Sequence, residues 1–162
     1  MTETTTESIS NEVFRMAVVS VLEETFERVE RSIFLDKGDS FFESLANVSA
    51  EEASRPIAAH GNSIAAQVNH VAAFIGWLNT MTSGEPVGML DWEGTWSKNE
   101  VTPAEWDELV AELQTVYRDL RSYATTNTDW SPYVEGSFGL VAHCAFHLGQ
   151  IRHALYSVRS GG

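Results

Sequence analysis

A chain of 162 residues, 43% hydrophobic and 20% charged, has the length and apolar content of one globular domain, which excludes wholesale disorder and fibrous repeats. Lys+Arg total 10 against 23 Asp+Glu, a formal charge of −13, and the cations stand singly, as at Arg15, Arg28, Arg31, Lys37, Arg55 and Lys98. Such a surface repels phosphate backbones and anionic bilayers, so neither nucleic acid nor a membrane is an expected partner.

Residues 1–9, rich in Thr and Glu, read as a mobile tail ahead of a single domain over 10–160. Met1–Ser10 lacks the basic and apolar regions of a signal peptide, so the expected address is the cytoplasm. From Asn11 to about Asp36, Phe14, Val18, Val21, Leu22, Phe26, Val29 and Ile33 recur at helical spacing, and Lys37-Gly38-Asp39 is the expected stop. Ser49-Ala-Glu-Glu52 has the form of a capping box, which predicts a short helix to about Arg55, stopped by Pro56. A second long helix is expected to open at Asn62 or Ser63 and run to about Thr82. The stretch Val68–Leu78 is its most apolar part, but Asn69 and His70 interrupt it and it is far short of a membrane span.

Ser83-Gly84-Glu85-Pro86 breaks the chain, and residues 84–101 form a long irregular loop carrying Trp92 and Trp96. A loop of that length in a compact domain is often functional. Thr102-Pro103-Ala104-Glu105 is the clearest helix start: a Thr cap, Pro at the first helical position and Glu closing the box. Trp106, Leu109, Val110, Leu113, Val116, Tyr117 and Leu120 follow as a core stripe to about Ala124. Thr125–Pro132 is a polar turn region, a fourth long helix is expected over Ser137–Val158, and Gly161-Gly162 closes the chain. Four long helices without a period-2 strand predict an all-α fold, a four-helix bundle with a long connection between helices 2 and 3.

Histidines carry the chemistry. His143 and His147 are spaced i, i+4, about 40° apart around a helix, a spacing at which two imidazoles can hold one metal ion. They lie along the edge of the apolar stripe Leu140, Cys144, Leu148, Ile151 and Leu155, with Gln150 and Ala154 continuing their line. His70 shares a face of the second long helix with Ser63, Ala66, Phe74, Trp77 and Met81. A lone histidine on such a face is more often a core residue than a ligand, but two more imidazoles facing it from another helix change that balance. Gln150 is placed to orient His147 or a substrate, or equally to complete a buried amide network. Trp92 and Trp96 are candidate pocket walls, with core plugging or a dimer contact as the commoner use of such residues. Asp91 and Glu93 are exposed loop carboxylates of the type that sometimes serves as a general base, and no catalytic acid or base is assigned. Cys144 reads as a small core residue; as the only cysteine it excludes an internal disulfide and a cysteine-only zinc site. His60 reads as a loop residue before the second long helix, and His153 lies about 80° from His143 and is left out of the site.

Leu45-Ala-Asn-Val-Ser-Ala-Glu-Glu52, Arg55-Pro56, Asn62-Ser63-Ile64, His70 and His143-Cys-Ala-Phe-His147-Leu-Gly-Gln150-Ile151 together resemble the DinB/YfiT-like group of metal-binding helical bundles. The resemblance extends over residues 11 to 157, with one departure: Leu148 stands where an Arg often follows the second motif histidine. It implies a divalent metal held by His70, His143 and His147, zinc first and nickel as the alternative, and a homodimer. It also implies a small-molecule substrate and a low-molecular-weight thiol such as mycothiol, bacillithiol or glutathione, as in the thiol-transferase and maleylpyruvate-isomerase-like members. Two other functions stand beside this expectation. One is a metal-dependent hydrolase; the other is a non-enzymatic dimeric bundle with a structural or incidental metal.

Overall fold

The computed structural model describes residues 8–57 and 61–160. Most of the expected tail (residues 1–7), His60 and Gly161-Gly162 lie outside the described residues. Within them the protein is all-α: six α-helices and two short 3₁₀ turns, with no strand.

Helix α1 (Asn11–Phe26) opens on Ser10, whose hydroxyl accepts the Val13 N–H. It stops ten residues before the expected end near Asp36. The physical reason is a carboxylate. Glu24 is buried, and its two oxygens accept the amide protons of Ile33, Phe34 and Leu35 at 2.7, 2.7 and 2.8 Å. Those amides would otherwise bond within a continuing helix, so the chain instead folds back on α1. Ser32 takes a positive φ of 51° in the reversal, and the Ser40 hydroxyl donates to the Glu27 carbonyl. Val29 is still buried, whereas Ile33, expected in the core stripe, is 47% exposed.

Two short helices follow. α2 (Phe41–Leu45) was not expected, although Ser40 and Glu43 form a full capping box. It exists to bury Phe41 and Leu45; Phe26 lies between Phe41 and Tyr117, stacked at 4.8 and 4.6 Å. α3 (Ala50–Ala53) carries the expected Ser49/Glu52 box.

The second long helix, α4 (Ile64–Ser83), is capped by Ser63 and ends at Gly84, whose φ of 81° suits a residue without a Cβ. Met81, expected on its inward face, is 48% exposed in the last turn. α5 (Pro103–Thr126) has the expected box, Thr102 with Glu105, and buries Trp106, Leu109, Leu113, Tyr117 and Leu120. α6 (Val134–Ser160) begins three residues before the expected Ser137 because the 3₁₀ turn Ser131–Tyr133 leads straight into it. Leu140, Cys144, Leu148, Ile151 and Leu155 form its buried stripe. α5 packs on α4 and α1, and α6 packs on the same two helices. The shared core includes Leu22, Phe26, Ile64, Val68, Ile75, Leu113, Leu148 and Ile151.

The connection over residues 84–101 lies along α4. Asn69 Nδ2 donates to the Thr95 carbonyl at 2.6 Å, Trp77 Nε1 to the Gly88 carbonyl at 2.8 Å, and the Ser63 N–H to Asn99 Oδ1 at 3.0 Å. Its one regular piece is the 3₁₀ turn Gly94–Trp96.

Candidate metal centre

Helix α4 offers Gln67, His70 and Phe74 on one face, at i, i+3 and i+7. Helix α6 offers His143, His147 and Gln150 at i, i+4 and i+7. Packing α4 on α6 brings the two faces together, and one ring nitrogen from each of His70, His143 and His147 lies within 4.8 Å of the other two. The ring centroids are 5.0 Å apart for His70 and His143, 4.7 Å for His70 and His147, and 4.5 Å for His143 and His147. His70 and His147 are buried, 3% and 4% exposed, and His143 is half-buried.

All three rings are neutral at pH 7. Burial, then the neighbouring His143, pushes His70 down to about 4. Burial, then His143 and His70, holds His147 at about 4 against an opposing hydrogen bond with Gln150. Burial also lowers His143. A ligating histidine must be neutral, and these three need lose no proton at pH 7 before a metal binds.

The hydrogen bonds show which nitrogens are free. His147 Nδ1 stands 2.6 Å from Gln67 Oε1 and 3.1 Å from Gln150 Oε1. Both partners are carbonyl oxygens and can only accept, so Nδ1 carries the proton and Nε2 keeps its lone pair. An outer hydrogen bond of this kind to a carbonyl is what orients metal-binding histidines. His70 Nδ1 is likewise engaged, by Thr95 Oγ1 at 2.7 Å. His143 Nε2 is buried without any hydrogen-bond partner. An orphaned buried nitrogen beside two rings whose outer nitrogens are already occupied is the condition a shared cation would relieve. Tetrahedral ligands at 2.0–2.1 Å from an ion stand about 3.4 Å apart, so ring nitrogens within 4.8 Å close on one by shifts of about an ångström. Three imidazoles suit zinc, nickel, copper or iron, and they leave at least one coordination position open.

Aromatic rings flank the cluster. Trp96 stacks on His70 at 3.9 Å and 15°, and lies 5.6 Å from His147. Trp92, 46% exposed, lies 5.7 Å from His70 and 6.3 Å from His143. Phe74 is 4.2 Å from His143, and Phe146 is 5.1 Å from His147. Both loop tryptophans therefore stand against the histidines rather than plugging the core.

The other sequence candidates fall elsewhere. The Asp91 carboxylate, weighed as a general base, accepts the Gly94 N–H at 3.0 Å and closes the 3₁₀ turn. A Cβ on Gly94 would collide with that carboxylate. Glu93 is exposed. Cys144 is fully buried in the core, and burial pushes its thiol well above the ordinary range, so it is an inert packing residue. His153 is exposed and outside the cluster. Three contacting residues were missed: Gln67, Thr95 and Phe146. Gln67 was legible, because it precedes His70 by one helical turn on the same face. Thr95 was not, because a loop has no period from which to read its contacts. No protein-family model, no curated protein and no solved structure matches this chain.

Proposed function

We propose that the protein binds one divalent metal ion through His70, His143 and His147 and uses it on a small-molecule substrate. The observation that carries this reading is the convergence of three neutral imidazole nitrogens within 4.8 Å, with His143 Nε2 buried and otherwise unpaired. Zinc is the first choice, since three neutral nitrogen ligands and an open position form a common catalytic zinc site; nickel is the alternative.

The chain's own residues have separate duties in this reading. His70, His143 and His147 hold the ion. Gln67 and Gln150 fix the proton on His147 Nδ1. Trp96 covers one face of His70, and Phe74, Trp92 and Phe146 flank the histidines and offer apolar walls to a substrate. Bound there, a divalent ion supplies Lewis-acid chemistry, stabilising a thiolate or polarising a substrate oxygen.

Transfer or isomerisation with a low-molecular-weight thiol is the preferred chemistry. It rests on the resemblance of residues 143–151 to the DinB/YfiT-like group, whereas the reading of α1, α4, α5 and α6 as a four-helix bundle rests on the four long helical periodicities of the sequence. The mutual packing of α1 and α4 with α5 and α6 supports the bundle. The same resemblance suggests a homodimer, and the composition of Met1–Ser10 suggests the cytoplasm. The exposed apolar side chains Val13, Met16 and Phe138 on α1 and α6 support the dimer. Among the described residues no helix is long and apolar enough to cross a membrane.

The test is metal content by elemental analysis of untagged protein prepared without chelators, beside the His143→Ala/His147→Ala double variant. About one equivalent per wild-type chain, lost in the variant, is the expected result for a single three-ligand site. A wild type that holds no metal and takes up neither Zn nor Ni would sink the reading. Metal-loaded protein is then expected to accelerate adduct formation between a small thiol and monochlorobimane. Inertness with every common thiol would turn attention to hydrolysis.

A further inference from the structure

The Thr95 hydroxyl sits between two partners. Its oxygen is 2.7 Å from the Trp92 carbonyl and 2.7 Å from His70 Nδ1. A hydroxyl has one proton, and a carbonyl can only accept, so that proton goes to Trp92. Toward His70 the hydroxyl oxygen is then left as an acceptor. His70 must donate from Nδ1, and its Nε2 carries the lone pair.

We propose that Thr95 is a positioning residue that fixes the tautomer of His70 and thereby ties the 84–101 connection to metal occupancy. The inference rests on the three-histidine metal reading and adds to it a partner for the α4 ligand. The site becomes symmetrical in its logic: Gln67 and Gln150 fix His147, and Thr95 fixes His70.

The surroundings make Thr95 suited to this. It is only 5% exposed, so water does not replace its contacts. Its carbonyl accepts from Asn69 Nδ2 at 2.6 Å and its N–H donates to the Asp91 carbonyl at 3.1 Å. The next residue, Trp96, lies flat on the His70 ring. The 3₁₀ turn Gly94–Trp96 thus grips His70 by an edge and a face together. A ligand held by a loop also holds that loop. Metal affinity and loop order must then be linked reciprocally.

The experiment compares wild type, Thr95→Val and Thr95→Ser. Long-range ¹H–¹⁵N spectra of the metal-free proteins read the His70 tautomer, and chelator competition reads the Zn²⁺ dissociation constant. Wild type and Thr95→Ser are expected to show a single Nδ1–H form. Thr95→Val is expected to lose that fixed form and to bind Zn²⁺ roughly 10–100-fold more weakly, the usual effect of removing an outer hydrogen bond from a ligand. A purely structural Thr95 would change thermal stability and leave the tautomer in place. Wild-type His70 protonated at Nε2, or Thr95→Val with both tautomer and Zn²⁺ affinity unchanged, overturns the proposal. Should Thr95→Val fail to fold, the wild-type spectrum decides alone. Should wild type bind no Zn²⁺, the metal reading falls, and the tautomer spectra still decide the role of Thr95.

Discussion

At the scale of single residues, this chain keeps three imidazoles uncharged in one place. A proton and a metal would compete for them, and the surroundings disfavour the proton. In the metal-free protein, His70 and His147 titrate near 4 when folded, against about 6.5 in the unfolded chain. Between those values the unfolded chain binds more protons. Stability is therefore complete above about pH 6.5 and falls as the pH drops toward 4. Glu52, held at about 2 chiefly by Arg159, titrates from about 4.5 downward and leaves the upper part of the window to the histidines. Urea midpoints of the metal-free protein are expected to fall between about pH 6.5 and 4.5, and less so in His147→Gln. A flat profile across that range would contradict the neutral, buried cluster. Gln67 belongs to the same scale. Its oxygen is nearer to His147 than that of Gln150, at 2.6 against 3.1 Å. Gln67→Leu is expected to weaken Zn²⁺ binding by about 10–100-fold, and Gln150→Leu by less. The reverse order in chelator competition would show that Gln150 is the main partner.

The element scale shows what a linear reading can and cannot find. α5 was legible almost to the residue, because Thr102, Pro103 and Glu105 are local signals and the stripe from Trp106 to Leu120 repeats every three or four positions. The His143/His147 pair and the inward place of His70 followed from the same periodicity. The end of α1 did not. Val29 and Ile33 keep helical spacing, yet the amides that would continue the helix bond to Glu24. Whether a carboxylate bonds to amides nine to eleven residues away is decided by the fold-back itself, which periodicity does not encode. Thr95 was hidden for the same reason. Glu24 therefore predicts its own test. Burial works against its charge, and the amides of Phe34, Ile33 and Leu35 together more than offset that, holding its carboxyl below the usual range. Glu24→Ala leaves three amides without their acceptor and is expected to lose about 2–4 kcal/mol in chemical denaturation. A loss below about 0.5 kcal/mol, the level of an ordinary surface change, would mean that residues 27–40 hold their path without it.

For the molecule as a whole, the site joins two long helices and the connection that lies along one of them. An ion bound only to the folded state stabilises it by about 4 kcal/mol at a thousand times its dissociation constant. For a chain of this size that corresponds to a rise in Tm of roughly 8–16 °C. Thermal scans with and without Zn²⁺ should show that rise in wild type and not in His143→Ala/His147→Ala. An equal rise in the variant would place the ion elsewhere. The chain's charge of −13 leaves the surface well solvated, and apolar side chains such as Phe138, 68% exposed, stand out against it. Phe138→Glu is expected to convert a dimer to a monomer in sedimentation equilibrium. Wild type sedimenting as a monomer would remove that interface.

Of the five tryptophans, Trp92 and Trp96 stand beside the histidines. Trp77, Trp106 and Trp130 are bonded elsewhere, to the carbonyls of Gly88, Val48 and Asn127. The protein thus carries its own optical gauge. A paramagnetic ion such as Co²⁺, seated among the imidazoles, would sit within a few ångströms of two indoles and darken their emission. Light lost during a titration would follow the filling of the site, without dye or label.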